Sequence, residues 1–347
     1  MTRPETYVAE LRDATVIGGE TVVLARDGTA LFDLATHPDA DRFDLVRGAV
    51  RYADRRAALV HAATGAGRTI ERGILVAGPA SHNYYHWLLE FLTRFRAIEA
   101  VPDLADWPLL VDRAMVGVPQ LVEALDTLVG AKRERIVLER LEAVRVGRVA
   151  VASPGAWLPL DLKNGLMLEP GDSIVDPDAI DYLRERLMPA ELDPSGRRSP
   201  GRRGTRRLHL ARIRVGRLQN AAEVRPVLGR YGIDDVLPET LSFAEQVRLF
   251  ADTDLIVAET GAALTNLIFA PRTARIVVLG ADRWDLTLFS QLAGALGQEL
   301  VYVAGSPIRG SHPKVYQSTF IADPARVSAA LVELCGGRSD GPAGTMR

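Results

Sequence analysis

The sequence predicts an α/β protein of two domains, with a small antiparallel β meander ahead of the first. Its 347 residues, 47% hydrophobic and 25% charged, have the composition of a globular chain and a length that fits two domains better than one. Short apolar runs alternate with helical patterns in two series, which indicates βαβ units and parallel sheets. An arginine-rich stretch between the two series predicts the domain boundary.

Residues 1–70 are predicted to form a β-rich cap or edge layer of the first domain. Short β-prone runs at 14–17, 21–24 and 30–32 are separated by the turn pairs Gly18-Gly19 and Asp27-Gly28. Short runs joined by such turns favour an antiparallel meander over parallel strands, which need long crossovers.

The first domain is predicted to span residues 71–190 and to be Rossmann-like. Its second half is less regular, although Asp176 and Pro177 have the residue types of a helix N-cap and first helical position. The expected elements are strands at 74–77, 109–111, 136–138 and 144–151, and helices at 84–100, 120–129 and 177–187.

Residues 191–207 are predicted to form an arginine-rich linker or loop. The stretch from Pro194 to Arg207 contains six arginines and almost no apolar side chain, so it cannot pack a core. A solvated loop is one interpretation, and attraction to nucleotide phosphates or to an anionic membrane face is the other.

The second domain, residues 208–320, has a more regular alternation and is also predicted to be Rossmann-like. A C-terminal helix at about 324–334 and a disordered tail fill residues 321–347. The expected elements of the second domain are strands at 208–210, 235–236, 255–257, 276–279 and 300–303, and helices at 221–230, 242–251, 262–269 and 285–296.

Charge and cysteine content exclude several classes of protein. The formal net charge of −2 gives no global basic field, so no nucleic-acid partner is expected and any anion site must be local. Cys335 is the only cysteine, which leaves no intrachain disulfide and favours a reducing compartment. We find no signal-peptide pattern and no apolar run of membrane-spanning length, so we expect a cytoplasmic protein with at most peripheral contact with the inner membrane face.

An apolar strand runs into a glycine at residues 254–261, and a helical pattern begins directly after it. Ligands of parallel α/β sheets bind at the carboxyl ends of strands, where free backbone N–H groups favour phosphate. Gly261 would allow close approach of a pyrophosphate, and Thr265 and Asn266 could reach a ribose or phosphate. Their alternative role is local capping and solvation.

The other motif, earlier in the chain, begins with Ser81-His-Asn83, where Asn83 is a natural N-cap for the helix that follows. His86 and Glu90 are four residues apart, hence neighbours beside an apolar helix face, and could serve as a base and its orienting partner. The alternative is a hydrogen-bonded structural histidine. A metal site that adds His82 is not expected, because one helix face without further ligands makes a poor site.

The first motif, Asn83-Tyr84-Tyr85-His86-Trp87-Leu88-Leu89-Glu90, resembles a hallmark of glycosyltransferase family 61. The segment Thr260-Gly261-Ala262-Ala263-Leu264-Thr265-Asn266-Leu267-Ile268-Phe269 is similar to the second hallmark in eight of ten positions. Thr260 replaces the histidine of that hallmark and Ala263 its second glycine. Arg212, Arg217 and Asn220 resemble a strand-to-loop element, in which Ala211 and Ala221 depart from the family pattern.

The resemblance implies a GT-B architecture, with two Rossmann-like domains facing a cleft. It implies an inverting, metal-independent transfer from a nucleotide-sugar co-substrate, with no other cofactor, to a glycan or polysaccharide acceptor such as a capsule. His86 and Glu90 would be catalytic. Acceptor contacts would come from Asn83, Tyr84 and Tyr85, and donor contacts from Arg212, Arg217, Asn220, Glu259, Thr260, Gly261, Ala262, Ala263, Leu264, Thr265 and Asn266.

Two other functions stay open at this point. A sugar-nucleotide epimerase shares the fold but needs no acceptor. A non-catalytic subunit that binds a glycan or a partner transferase is favoured by the departures at Thr260, Ala263, Ala211 and Ala221. The sequence makes no prediction of oligomeric state, of donor sugar or of linkage, since these depend on loops that shape the pocket.

Overall fold

The computed structural model describes residues 6–32, 48–53, 58–62, 67–157, 173–192, 205–212, 216–281, 288–308 and 318–335. The chain divides into two units, Met1–Leu187 and Met188–Arg347. Most of the predicted arginine-rich linker, at 193–204, and the predicted disordered tail, at 336–347, lie outside the described residues. Within the described ranges, every helix is too short or too polar to cross a bilayer.

The first unit is a mixed α/β structure, and its main helical segment changes geometry along its length. The strands are β1 Val8–Ile17, β2 Val22–Leu24, β3 Ala30–Phe32, β4 Val50–Ala53, β5 Ala58–Val60, β6 Thr69–Val76, β7 Leu109–Asp112, β8 Arg135–Leu138, β9 Ala143–Ala152, β10 Ala156–Trp157 and β11 Ile174–Val175. The helices are α1 Tyr84–His86, a π-helical turn Trp87–Phe91, a 3-10 turn Leu92–Arg94, α2 Phe95–Ile98, a 3-10 turn Pro102–Leu104, α3 Arg113–Val116, α4 Pro119–Val129 and α5 Pro177–Leu187.

The main sheet of the first unit has the order β3-β2-β1-β9-β6-β7-β8. Strands β9, β6, β7 and β8 are parallel neighbours, whereas β1 pairs antiparallel with β9, with Val8 opposite Ala152. The meander therefore extends the same sheet as its edge. Arg68, directly before β6, donates from Nη1 to the carbonyl of Val137 in β8, 3.0 Å away, on the far side of the intervening strand β7.

The second unit has its strands close to the predicted positions. They are β12 Arg206–Leu210, β13 Asp234–Val236, β14 Thr253–Glu259, β15 Arg275–Ala281, β16 Glu299–Pro307 and β17 Phe320–Ile321. The helices are 3-10 turns Ala190–Leu192 and Pro238–Thr240, α6 Ala221–Arg230, α7 Phe243–Ala251, a 3-10 helix Ala262–Phe269, α8 Leu288–Leu296 and α9 Pro324–Cys335. The predicted helix at 262–269 thus exists with 3-10 geometry, and the first residues of the helix predicted at 285–296 fall outside the described part.

The sheet of the second unit has the order β13-β12-β14-β15-β16-β17, with parallel neighbours except for β16 and β17. Counted along the chain, its parallel strands follow the doubly wound order 2-1-3-4-5. Residues 255–258 and 276–279 are almost fully buried, as expected for strands covered on both faces. The direction of winding reverses between β12 and β14, so their carboxyl ends mark the place where such sheets bind ligands.

Helix α7, which packs next to this edge of the sheet, begins with a capping box at its N-cap residue Ser242. The Ser242 hydroxyl oxygen accepts from the Glu245 backbone N–H at 3.2 Å, and the Glu245 carboxylate accepts from the Ser242 N–H at 2.8 Å. Gln246 in the next position is 3% exposed and accepts a hydrogen bond from the Asn266 side chain at 2.8 Å. Helix α7 is therefore hydrogen-bonded to the 3-10 helix through the buried Gln246–Asn266 pair.

Candidate active site

Predicted donor-site residues from two strand ends meet at the winding reversal of the second unit. Strands β12 and β14 are paired, with Leu210 beside Ala258, so Arg212, two residues after β12, and Glu259, the last residue of β14, lie at neighbouring strand ends. The Thr260 carbonyl oxygen accepts from Nη2 of Arg212 at 2.9 Å and from Nη1 of Arg217 at 3.2 Å. Two guanidinium groups therefore converge on the first residue after β14.

Glu259 holds this arginine pair in place. Glu259 is 9% exposed, and its Oε2 accepts a hydrogen bond from the backbone N–H of Arg217 at 2.6 Å. The same oxygen lies 3.9 Å from Nε of Arg212, whose side chain is about one third exposed. Glu259 therefore binds the backbone of one arginine and lies beside the guanidinium of the other.

A glycine at position 261 leaves room for the Arg212 side chain and does not serve an unusual backbone conformation. Its φ of 170° and ψ of 167° are extended values that any residue can adopt. A Cβ at this position would stand 2.1 Å from Nη2 of Arg212, so the guanidinium lies directly over the glycine. After it, Ala262 and Ala263 begin the 3-10 helix and are only half-buried. Leu264 is fully buried, and its N–H is bonded to the Gly261 carbonyl at 3.0 Å.

Three other predicted donor residues lie away from the surface of this turn. Thr265 and Asn266 have no exposed area, and Asn266 donates to Gln246 and to the carbonyl of Ala263. Asn220 donates to the Ala322 carbonyl at 2.8 Å and accepts from its N–H at 3.0 Å, which ties the start of α6 to the segment after β17. The Asn266 and Asn220 side chains thus form hydrogen bonds within the unit, whereas the buried Thr265 hydroxyl has no hydrogen-bond partner among the described residues.

The motif at 83–90 contains the second group of predicted site residues. Asn83 caps α1 as predicted, since its side chain accepts from the Tyr85 N–H at 2.9 Å. The single regular helix predicted over 84–100 is wrong, because the segment passes through π and 3-10 turns before α2. Every residue from 85 to 95 is buried, whereas Asn83 and Tyr84 are half-buried. The sequence predicted a helix with one apolar face, whereas in the structure the segment is buried on all sides.

His86 and Glu90 are in contact, as their spacing predicts. Nδ1 of His86 lies 2.8 Å from Oε2 of Glu90, and their side chains are 9% and 4% exposed. The atoms are close enough for an ion pair but are not aligned as a hydrogen bond, so Nδ1 has no aligned acceptor. The Tyr85 ring meets the imidazole edge-on at 5.3 Å. Burial, with the negative charge of Glu90, raises the pKa of Tyr85, so its phenol is neutral at physiological pH.

Asp112, at the carboxyl end of β7, is a site-supporting residue that sequence reasoning missed. It is 3% exposed and accepts from the N–H of Gly19 at 2.6 Å, the N–H of Gly78 at 2.7 Å and the hydroxyl of Ser81 at 2.7 Å. Burial raises the pKa of Asp112, while these hydrogen bonds act to lower it. The carboxylate anchors the loop that leads into Asn83. A polar residue directly after the apolar run Leu109–Val111 was the available signal.

No group of three or more His, Cys, Asp or Glu side chains in the described ranges is arranged to hold a metal ion. His82, which the metal interpretation required, is exposed, while His86 and Glu90 are buried together. Among the described residues of the second unit, Arg212 and Arg217 both donate to the Thr260 carbonyl at the end of β14.

Replacing Gly261 with alanine is expected to weaken binding of a nucleoside diphosphate about tenfold while leaving folding stability nearly unchanged. The added methyl displaces the tip of the flexible Arg212 side chain, not packed backbone. Calorimetry with UDP and GDP measures the first effect, and urea unfolding the second. Gly229→Ala is the control, because nothing lies within 4 Å of its added Cβ, and a helical alanine is worth at most about 1 kcal/mol. Equal affinity of the Gly261→Ala variant and the parent chain would contradict the prediction.

The family comparison covers both groups of residues. The family model for glycosyltransferase 61 matches residues 84–277, more than half of the chain, from Tyr84 in the first motif through β14 and the 3-10 helix of the second. A search of curated proteins finds no match. Because the match includes the His86–Glu90 pair, the arginines and the Gly261 turn in one continuous span, the chain belongs to glycosyltransferase family 61.

Proposed function

We propose that the chain is an inverting glycosyltransferase that moves a sugar from a nucleoside-diphosphate sugar to a hydroxyl of a glycan or polysaccharide acceptor, without a metal ion. A GT-B architecture is part of this proposal. The observation that carries it is the convergence of Arg212 and Arg217 on the Thr260 carbonyl, at the winding reversal of a doubly wound sheet, within a chain of this family.

The donor diphosphate is assigned to this turn. Guanidinium groups bind phosphate oxygens in paired hydrogen bonds and offset the charge that grows on the leaving group, the task a metal ion performs in other transferases. The backbone from Gly261 to Leu264 begins a helix and adds its positive dipole end. Glu259 binds the Arg217 backbone, and Asn266 supports the turn through its bonds to Gln246 and to the Ala263 carbonyl. Thr265 and Asn220 are assigned to the same donor site through the family resemblance.

The acceptor is assigned to the His86 motif, with Asn83 and Tyr84 as its half-buried contacts and Tyr85 as a buried neighbour. Nε2 of His86 takes the proton of the acceptor hydroxyl as the oxygen attacks the anomeric carbon. The bond from that carbon to the diphosphate breaks with inversion, and the nucleoside diphosphate leaves with the electron pair. Glu90, 2.8 Å from Nδ1, orients the ring and stabilises the imidazolium that forms.

A non-catalytic subunit is the second candidate. Thr260 stands where the family hallmark has histidine, and its hydroxyl donates to the Leu279 carbonyl at 3.3 Å. This side chain therefore links the end of β14 to β15. In this case the fold would bind a glycan or a partner transferase and no donor would be turned over.

Calorimetry with a panel of UDP-, GDP- and CMP-linked sugars tests the proposal. We expect at least one nucleoside-diphosphate sugar to bind with a dissociation constant below about 1 mM, as enzyme substrates do. Product analysis with and without a glycan acceptor then separates transfer from epimerisation of the donor. Absence of binding across the whole panel would overturn the transferase proposal in favour of the non-catalytic subunit.

A further inference from the structure

The segment that carries Glu90 is not a regular helix. In the π-turn Trp87–Phe91, the N–H of Leu92 bonds to the Trp87 carbonyl five residues earlier. Directly afterwards, the N–H of Phe95 bonds to the Leu92 carbonyl three residues earlier. A π-turn inserts one residue into a helix and rotates the side chains that follow it, and such turns are frequent at functional sites. Glu90 lies inside the inserted turn.

Two side chains bond to backbone carbonyls at the point where the helix changes geometry. The hydroxyl of Thr93 donates to the Leu89 carbonyl at 2.6 Å. Nε of Arg94 donates to the Glu90 carbonyl at 2.9 Å. Each side chain bonds to the carbonyl four residues earlier, so two successive carbonyls of the π-turn accept hydrogen bonds from side chains.

The same two side chains also bind the chain that follows β9. The Thr93 hydroxyl accepts from the N–H of Gly155 at 2.9 Å, and Nη1 of Arg94 donates to the Ala152 carbonyl at 2.7 Å. Both residues are 2% exposed. At the other end of the turn, the indole N–H of Trp87 donates to the Leu121 carbonyl in α4 at 3.0 Å. The turn is thus held to two separate parts of the unit.

We propose that Thr93 and Arg94 are positioning residues that fix the π-turn and thereby hold the Glu90 carboxylate against the imidazole of His86. A buried guanidinium and a buried hydroxyl are costly to desolvate, and here both form hydrogen bonds to neighbouring carbonyls of the π-turn. Relaxation of the turn to regular helical spacing would rotate Glu90 about the helix axis and change the position of its carboxylate relative to Nδ1 of His86. The catalytic consequence rests on the proposed function, whereas the positioning itself does not.

The first test needs no substrate. Protein labelled with ¹⁵N-histidine has six histidines, and His86→Ala assigns the His86 signals by their loss. In Glu90→Gln the Nδ1 shift moves because the carboxylate is gone. We expect Thr93→Val, which removes the hydroxyl at constant shape, to move the Nδ1 shift of His86 as well, and Thr93→Ser to leave it in place.

The control is Thr127→Val, which removes an equivalent hydroxyl bond to a carbonyl four residues back, the Glu123 carbonyl at 2.8 Å in the regular helix α4. It should leave the His86 signal unmoved. An unmoved signal in Thr93→Val, or an equal movement in Thr93→Ser, would overturn the proposal. If Thr93→Val does not fold, Arg94→Lys, which keeps the charge but cannot reach both carbonyls, gives the same test.

The second test is a kinetic cycle, followed by release of the nucleoside diphosphate from the donor that the calorimetric panel identifies. We expect Thr93→Val to lower kcat about tenfold, as small displacements of catalytic groups do, without a change in donor affinity. In the Glu90→Gln background the same change should have almost no further effect, because both act through one carboxylate. Independent, additive losses would overturn positioning. A moved His86 signal with full activity in His86→Ala would instead leave positioning intact and refute the proposed base.

Discussion

Replacing His86 with alanine is expected to lower kcat for sugar transfer about a hundredfold or more, since loss of a general base usually costs at least this factor. The donor should bind the variant as before, because the arginine pair and Gly261 belong to the second unit. The loss should therefore appear in kcat and not in the dissociation constant of the donor. Steady-state transfer and donor calorimetry on the same preparation measure both.

His82→Ala is the matched control for this experiment. His82 precedes His86 by four residues in the same motif, but its side chain is exposed and that of His86 is buried against Glu90. We expect His82→Ala to retain transfer within about twofold, as for a surface substitution. If His86→Ala keeps its activity within about threefold of the parent chain, His86 is not the base, and the acceptor proton must go elsewhere.

The second unit could be predicted from sequence because its signals are local. Runs such as Leu255–Val257 and Ile276–Leu279 are continuous apolar strands between turn residues, and each helix follows its strand directly. Once the strands are placed, parallel pairing puts their carboxyl ends at one edge. The family resemblance assigned Arg212 and the Gly261 turn to one site, and in the structure Nη2 of Arg212 donates to the Thr260 carbonyl beside Gly261.

The first unit was less predictable because its defining contacts are distant in sequence. Strand β1 pairs with β9, so Val8 lies opposite Ala152, and no local pattern in either strand identifies the other. The π-turn was hidden for a different reason. The spacing of apolar residues in so short a segment does not distinguish α, π and 3-10 turns, and two of the bonds from Thr93 and Arg94 depend on residues 152–155.

The candidate site shows the same division. His86 and Glu90 were predictable as neighbours from spacing alone. Thr265 and Asn266 have motif positions that suggested ligand contact, yet both are fully buried, and Asn266 makes a tertiary bond to Gln246 in α7 that a motif does not encode. Asp112 is the converse case, since its role comes from three donors that are widely separated in sequence.

Replacing Arg212 with alanine is expected to lower kcat/KM for transfer by about 10²–10³-fold, the usual cost of removing one group that stabilises developing charge. The guanidinium lies over Gly261 and is about one third exposed, so a diphosphate can reach it without rearrangement of the sheet. Its 3.9 Å pairing with Glu259 contributes little to folding, since partly exposed ion pairs are weak. Activity should therefore fall while the urea midpoint stays close to that of the parent chain.

Arg212→Lys and Arg113→Ala complete the experiment. Lysine keeps the charge but loses the planar fork that matches phosphate, so an intermediate loss is expected. Arg113→Ala removes an exposed arginine that pairs with Glu139 at 2.7 Å in the first unit, and should leave transfer unchanged. The affinity of the parent chain for UDP or GDP should also weaken as salt rises, and Arg212→Ala should reduce that dependence. Unchanged nucleotide affinity and salt dependence in Arg212→Ala would place the diphosphate away from this turn and would refute the donor site.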